Sequence, residues 1–180
     1  MRLIKYTLQS IIYIGALFLF FSCESDDNTT NFVEPTPTLN GTYVLTSLDA
    51  DVAVDLNNDS TTSTNLLQES TCFNIMEVTF NDNGSFSATN SKLDFNGGDS
   101  GNELTCTIRT DNGTWSLNSN ELTLNVSIAG STITETKEIM LTETSFSFTA
   151  TEDEIDAYVN DTSESSASVI TELFLEYTQQ

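Results

Sequence analysis

Glu121-Leu122-Thr123-Leu124-Asn125-Val126-Ser127-Ile128 sets an apolar side chain at every second position. A strand projects successive side chains to opposite faces, so Leu122, Leu124, Val126 and Ile128 share one face while Thr123, Asn125 and Ser127 share the other. One face is built for burial and one for water, the pattern of an antiparallel sheet packed on one side. The same alternation recurs on both sides of this stretch. Ser145 to Ala150 points Phe146, Phe148 and Ala150 together, and Cys72 to Phe80 does so with Met76, Val78 and Phe80. Turn formers separate the runs: Asn81-Asp82-Asn83-Gly84, Asp111-Asn112-Gly113, Asn118-Ser119-Asn120 and Ala129-Gly130-Ser131. Asn-Gly supplies the positive φ values that tight hairpins demand.

Extending the reading gives strands near 41–48, 72–80, 84–89, 104–110, 114–117, 121–128, 132–142, 145–150 and 168–177. The last can be read two ways. Val169, Ile170, Leu173, Phe174 and Tyr177 make a helical stripe behind a Ser168 N-cap, whereas Val169, Thr171, Leu173, Leu175 and Tyr177 make one face of a strand. The strand is preferred, because a sheet ending without a partner exposes an edge. The expected fold is all-β: an antiparallel up-and-down barrel of about eight strands, whose closure removes both edges.

The first 22 residues read as a targeting segment. Arg2 and Lys5 precede the unbroken apolar run Ile11 to Phe21, which is short for a membrane span and right for the core of a signal peptide. The run ends at Ser22-Cys23, which resembles the lipobox of bacterial lipoproteins, with Phe20 where that motif usually has Leu. Cys23 is therefore the expected lipidation site, and acyl chains, rather than a spanning helix, the expected anchor. Glu24-Ser25-Asp26-Asp27-Asn28 resembles the export signal that follows the lipid-bearing cysteine in Bacteroidota, which implies an outer-membrane protein exposed at the cell surface. Glu34-Pro35-Thr36-Pro37-Thr38 holds both prolines of the chain and reads as a stiff spacer. The organisation is thus a leader over 1–22, an acidic, proline-containing tether over 23–38, and one β domain over 39–180.

Within that domain, Leu39-Asn40-Gly41-Thr42-Tyr43-Val44-Leu45 resembles the opening strand of bacterial lipocalin-like domains. Asn112-Gly113-Thr114-Trp115-Ser116-Leu117, leading through Asn118 to Asn120 into Leu122-Thr123-Leu124, is similar to the Gly-Thr-Trp hairpin of the same lipoproteins, and Phe80-Asn81-Asp82-Asn83-Gly84-Ser85-Phe86 to their strand-turn-strand unit. The resemblance spans about 39–178. It implies a barrel that binds rather than catalyses, with a cavity for a small apolar or amphipathic ligand lined by Phe80, Trp115, Phe146 and Phe148.

Composition narrows the chemistry. The chain carries 27 Asp plus Glu against 5 Lys plus Arg, a formal charge of −22, and no histidine. Phosphate backbones are bound by clustered Lys and Arg, so nucleic acid is excluded as a partner. Without histidine the usual general base, the Ser-His and Cys-His pairs and most zinc sites are unavailable. Gly97-Gly98-Asp99-Ser100-Gly101 precedes a strand pattern, not a helix, and reads as a turn rather than a phosphate loop. The expectation is a protein that is not an enzyme. Once Cys23 is given to lipid, Cys72 and Cys106 remain, and an oxidising envelope makes a disulfide their default.

Asp55-Leu56-Asn57-Asn58-Asp59-Ser60-Thr61 alternates oxygen side chains as a wrapped calcium loop does. Asp55, Asn57, Asp59, the Thr61 carbonyl and Glu69 form the candidate ligand set, and Ca²⁺ is the one cofactor the sequence suggests. Ser60 stands where such loops have Gly, and Leu66 where an acid closes the shell. The alternative is a polar surface loop. The aromatic set likewise admits two functions. A void of roughly 300 Å³ or more with apolar walls favours ligand binding. A filled barrel favours a surface interaction or assembly module that meets a protein or glycan through its loops.

Overall fold

A computed structural model of the chain describes residues 38–95, 104–128, 130–161 and 166–180. The leader, Cys23, nearly all of the tether and the turn at 97–101 lie outside the described residues.

In chain order the elements are β1 (Gly41–Val54), β2 (Ser63–Asn65), α1 (Leu66–Glu69), a 3-10 turn (Thr71–Ile75), β3 (Glu77–Phe80), β4 (Ser85–Phe95), β5 (Leu104–Asn118), β6 (Glu121–Ile128), β7 (Ser131–Glu138), β8 (Met140–Leu141), β9 (Ser145–Thr151), α2 (Glu152–Ile155), β10 (Val159–Asp161), a second 3-10 turn (Ser166–Val169) and β11 (Glu172–Gln179). They form one sheet in the order β7-β6-β5-β4-β3-β1-β11-β9-β8, with β2 on β1 and β10 on β4. It is an all-β, antiparallel, lipocalin-like meander in which the first and last strands pair, Tyr43 opposite Gln179 and Leu48 opposite Leu175. The β10–β4 pair alone among the described ladders is parallel.

The curl stops short of a closed ring. After Glu138 the chain leaves β7, and Ile139 donates its amide to the Asn120 carbonyl at 2.8 Å. Met140 and Leu141 then pair with Ser147 and Phe146, so β8 occupies the edge of β9 that β7 would need for closure. The segment expected as one strand over 132–142 is therefore two strands facing different partners, and a seam remains between β7 and β9.

Burial follows the alternation, with phase shifts on β1 and on β4, where the buried set moves from Phe86 and Ala88 to Ser91 and Leu93. On β1, Tyr43 and Leu45 point inward, then Leu48 and Ala50. A bulge between Leu45 and Ser47 inserts the extra residue that moves the inward set from odd to even positions. Leu48, Leu66, Phe73, Leu93 and Leu173 fill the end of the barrel beneath α1 and the first 3-10 turn.

Three further expectations are corrected. Asp111-Asn112-Gly113 is no turn: β5 runs straight through it, and its register on β4 places Gly113 opposite Phe86. A Cβ at Gly113 would lie 1.9 Å from the Asn125 carbonyl oxygen and 2.9 Å from Phe86 Cε1, so this glycine permits close strand approach rather than reversal. The strand expected over 72–80 begins only at Glu77. Ser70 Oγ accepts the Cys72 amide at 3.2 Å, capping a 3-10 turn that buries Phe73. The last segment is a strand, as preferred, but it starts at Glu172, where Asp51 accepts both the amide and the hydroxyl of Thr171 at 3.1 and 2.6 Å.

Cys72 and Cys106 form a disulfide with their Cα atoms 5.5 Å apart. It ties the first 3-10 turn to β5 across a sequence separation of 34, for which loop-closure entropy gives stabilisation of about 3–4 kcal/mol.

Candidate functional site

The inward faces of β3 to β7, β9 and β11 surround a cavity of about 290 Å³, just under the size expected to favour ligand binding, with walls that are apolar except at Asn90, Arg109, Asp111, Glu135 and Lys137. Its position follows from side-chain size. Ala88 leaves room on the inward face of β4, while Phe80, Phe86, Leu122 and Phe146 close the far end. Behind that floor the rings continue as a packed cluster. Tyr43 meets Phe146 edge to face at 5.2 Å, and Phe146 stacks on Tyr177 at 5.1 Å. Burial raises the phenol pKa of both tyrosines above its ordinary value, so both rings stay neutral.

The opposite end is polar. Asp111, with only 7 % of its side chain exposed, accepts at one oxygen, Oδ2, from Arg109 Nε at 2.9 Å and Arg109 Nη2 at 2.8 Å, and from Asn90 Nδ2 at 2.8 Å. Arg109 itself is 63 % exposed, and Ile128, Ile133 and Glu135, which also line the cavity, reach solvent. These exposed residues mark the mouth. Across it runs the segment from α2 to β10, which contributes Ala157 and Tyr158 to the lining and is tied to β4 where the Tyr158 carbonyl accepts the Leu93 amide at 2.8 Å. Burial, followed by the charges of Glu154 and Glu135, raises the Tyr158 hydroxyl well above its ordinary value.

Lys137 guards the seam. It points inward from β7, lines the cavity, pairs with Glu154 of α2 and stands 5.8 Å from the centre of the Phe148 ring on β9. Side chains thus bridge the gap that backbone pairing leaves open. Burial pushes the Glu154 carboxyl upward, but the Lys137 ammonium together with the Thr151 amide outweighs it and holds the group below the ordinary carboxylate value.

Of the four aromatics expected around a cavity, Phe80, Phe146 and Phe148 lie on its wall. Trp115 does not: it packs edge-on against Phe80 at 5.1 Å, and its indole N–H donates to the Asn81 carbonyl at 3.2 Å. The polar lining was not among the residues singled out from sequence. Its signal was rarity, since Arg109 and Lys137 are two of the three basic residues beyond the leader.

In the loop after β1, the candidate calcium ligands are engaged with their own backbone. Asp55 accepts the amides of Asp59 and Ser60 at 3.1 and 2.9 Å, Asn57 accepts that of Asp59 at 2.9 Å, and Asp59 accepts that of Thr61 at 2.7 Å. Asn58 and Ser60 take φ of 59° and 71°, so the loop makes its tight turn without glycine. Glu69 is buried at the base of the loop, where it accepts the Leu56 amide at 3.1 Å. Among the described residues no group of three or more acidic or cysteine side chains converges as a metal-binding set.

A family model described as a lipocalin-like domain matches residues 39–148, more than half of the chain. Comparison with curated proteins and with solved structures produced no match.

Proposed function

Since the chain belongs to the lipocalin-like domain family, we propose that it is a lipid-anchored, non-enzymatic binding protein of the cell envelope whose barrel holds a small amphipathic ligand. The observation that carries this reading is the cavity of about 290 Å³, apolar at its floor and polar at its mouth. Burying a ligand's apolar body against Phe80, Phe86 and Phe146 is favourable at about 25 cal/mol per Å², and the polar rim keeps the ligand's head in contact with water. Calorimetric titration with the neutral amphipath 3-phenylpropanol tests it. Binding is expected to wild type and to be lost in Ala88→Phe, which fills the void; Leu124→Trp, on the same wall, serves if the first variant fails to fold. Absence of binding to wild type, or unchanged binding to folded, filled variants, would contradict the proposal.

The anchor is part of the same proposal, supported by the basic start, the apolar run and Ser22-Cys23. Radioactive palmitate should label the wild type in its native host and leave Cys23→Ala unlabelled. Equal labelling of both would remove Cys23 from the account. The outer-surface address rests on the acidic stretch Glu24 to Asn28 and is confirmed or refuted by protease shaving of intact cells.

A further inference from the structure

The charges around the cavity are not balanced, and the imbalance points to the head group of its ligand. Both cations of the lining are already neutralised, Arg109 by the buried Asp111 and Lys137 by Glu154. Glu135, on the same inward face of β7 as Lys137, also lines the cavity, and among the described residues no cation stands within ion-pair range of it. Its charge reaches the Tyr158 hydroxyl, which burial, Glu154 and Glu135 push up and Arg109 pulls down to a smaller extent. The surrounding field has the same sign, since the chain carries −22 overall. A field of that sign concentrates cations at the mouth and repels anions. The same lining carries Phe80, Phe86, Phe146 and Phe148, and ring faces attract an ammonium group as well as an apolar tail.

Resting on the binding reading above, we infer that the cavity selects small amphipaths with a cationic amine head, seated beside Glu135 and Tyr158, and an apolar or aryl tail directed towards Phe80 and Phe86. Arg109 in this arrangement is a structural group clamped by Asp111 and Asn90 rather than an anchor for an acid. The nearest competing chemistry, a carboxylate head on Arg109, would have to sit against both Glu135 and the field of the whole chain.

The experiment compares three ligands with one skeleton, 3-phenylpropylammonium, 3-phenylpropanol and 3-phenylpropionate, by calorimetry at physiological salt on the mature protein. The ammonium is expected to bind tightest and the carboxylate weakest, about tenfold apart, because attraction and repulsion at a solvent-exposed pair each contribute a few-fold. Glu135→Gln should weaken ammonium binding about threefold while leaving the alcohol unchanged. Glu135→Lys should invert the order of the two ions. Glu121→Gln, which removes the same charge from an exposed position at the β5–β6 turn, should change nothing. If the alcohol binds but the carboxylate equals or exceeds the ammonium, the head-group inference is overturned and the cavity reading stands. Equal losses in Glu135→Gln and Glu121→Gln would reduce the effect to diffuse attraction and overturn it as well. If none of the three binds, the cavity reading falls and this inference with it.

Discussion

Gly113 shows how one residue can be legible in identity and illegible in role. In the sequence, Asp111-Asn112-Gly113 has the composition of a hairpin turn. In the fold, the glycine lies mid-strand, because the Asn125 backbone and the Phe86 ring leave no space for a Cβ. Asp and Asn before a glycine mark a turn only where the chain is free to reverse; here eleven consecutive pairs hold β5 against β4. Asp111 was read as part of that turn and is instead the buried carboxylate that clamps Arg109. Asp55 and Asp59 already turn the loop after β1 by accepting its own amides, and among the described residues no set of three acidic side chains converges there. Calcium at physiological salt is therefore expected to leave the melting temperature unchanged and to give the same weak heats with wild type and with Asp55→Ala plus Asp59→Ala. A rise in melting temperature confined to the wild type would establish the site.

At the scale of elements, the strands with strict alternation were readable and the seam was not. Glu121 to Ile128 and Ser145 to Ala150 carry an apolar residue at every second position, a period no helix satisfies, and they are β6 and most of β9. The break at Ile139 leaves no such trace, because it depends on β8 displacing β7 from β9 and not on any local preference. Lys137 and Glu154 close that gap, so its integrity should depend on pH. The Glu154 carboxyl is held below its ordinary value of 4.5, and its stabilising effect is fully present above that value. As pH falls through the depressed value, the carboxyl protonates and the pair is lost. Hydrogen-exchange protection of β7 amides should accordingly drop on acidification in the wild type, whereas Glu154→Gln should show low protection throughout and no such step. An acid step of equal size in Glu154→Gln would assign the effect to other carboxylates.

The described residues combine a curled sheet, a filled end and a cavity lined in part by charged side chains, within a chain of charge −22. The all-β class and lipocalin-like character were legible because hairpin meanders leave their period and punctuation in the sequence. Whether the interior is filled was not, since that depends on the summed volumes of facing side chains such as Ala88, Leu124 and Phe148. The polar lining was equally hidden: Arg109, Asp111, Glu135 and Lys137 come from two strands whose inward faces are apolar only in part. The central claim is that this cavity is occupied in the cell. Native mass spectrometry under mild ionisation of protein purified from its own envelope tests it most directly. A small-molecule adduct is expected on the wild type and not on folded Ala88→Phe. A bare protein mass in repeated wild-type preparations, or the same adduct on the filled variant, would contradict it.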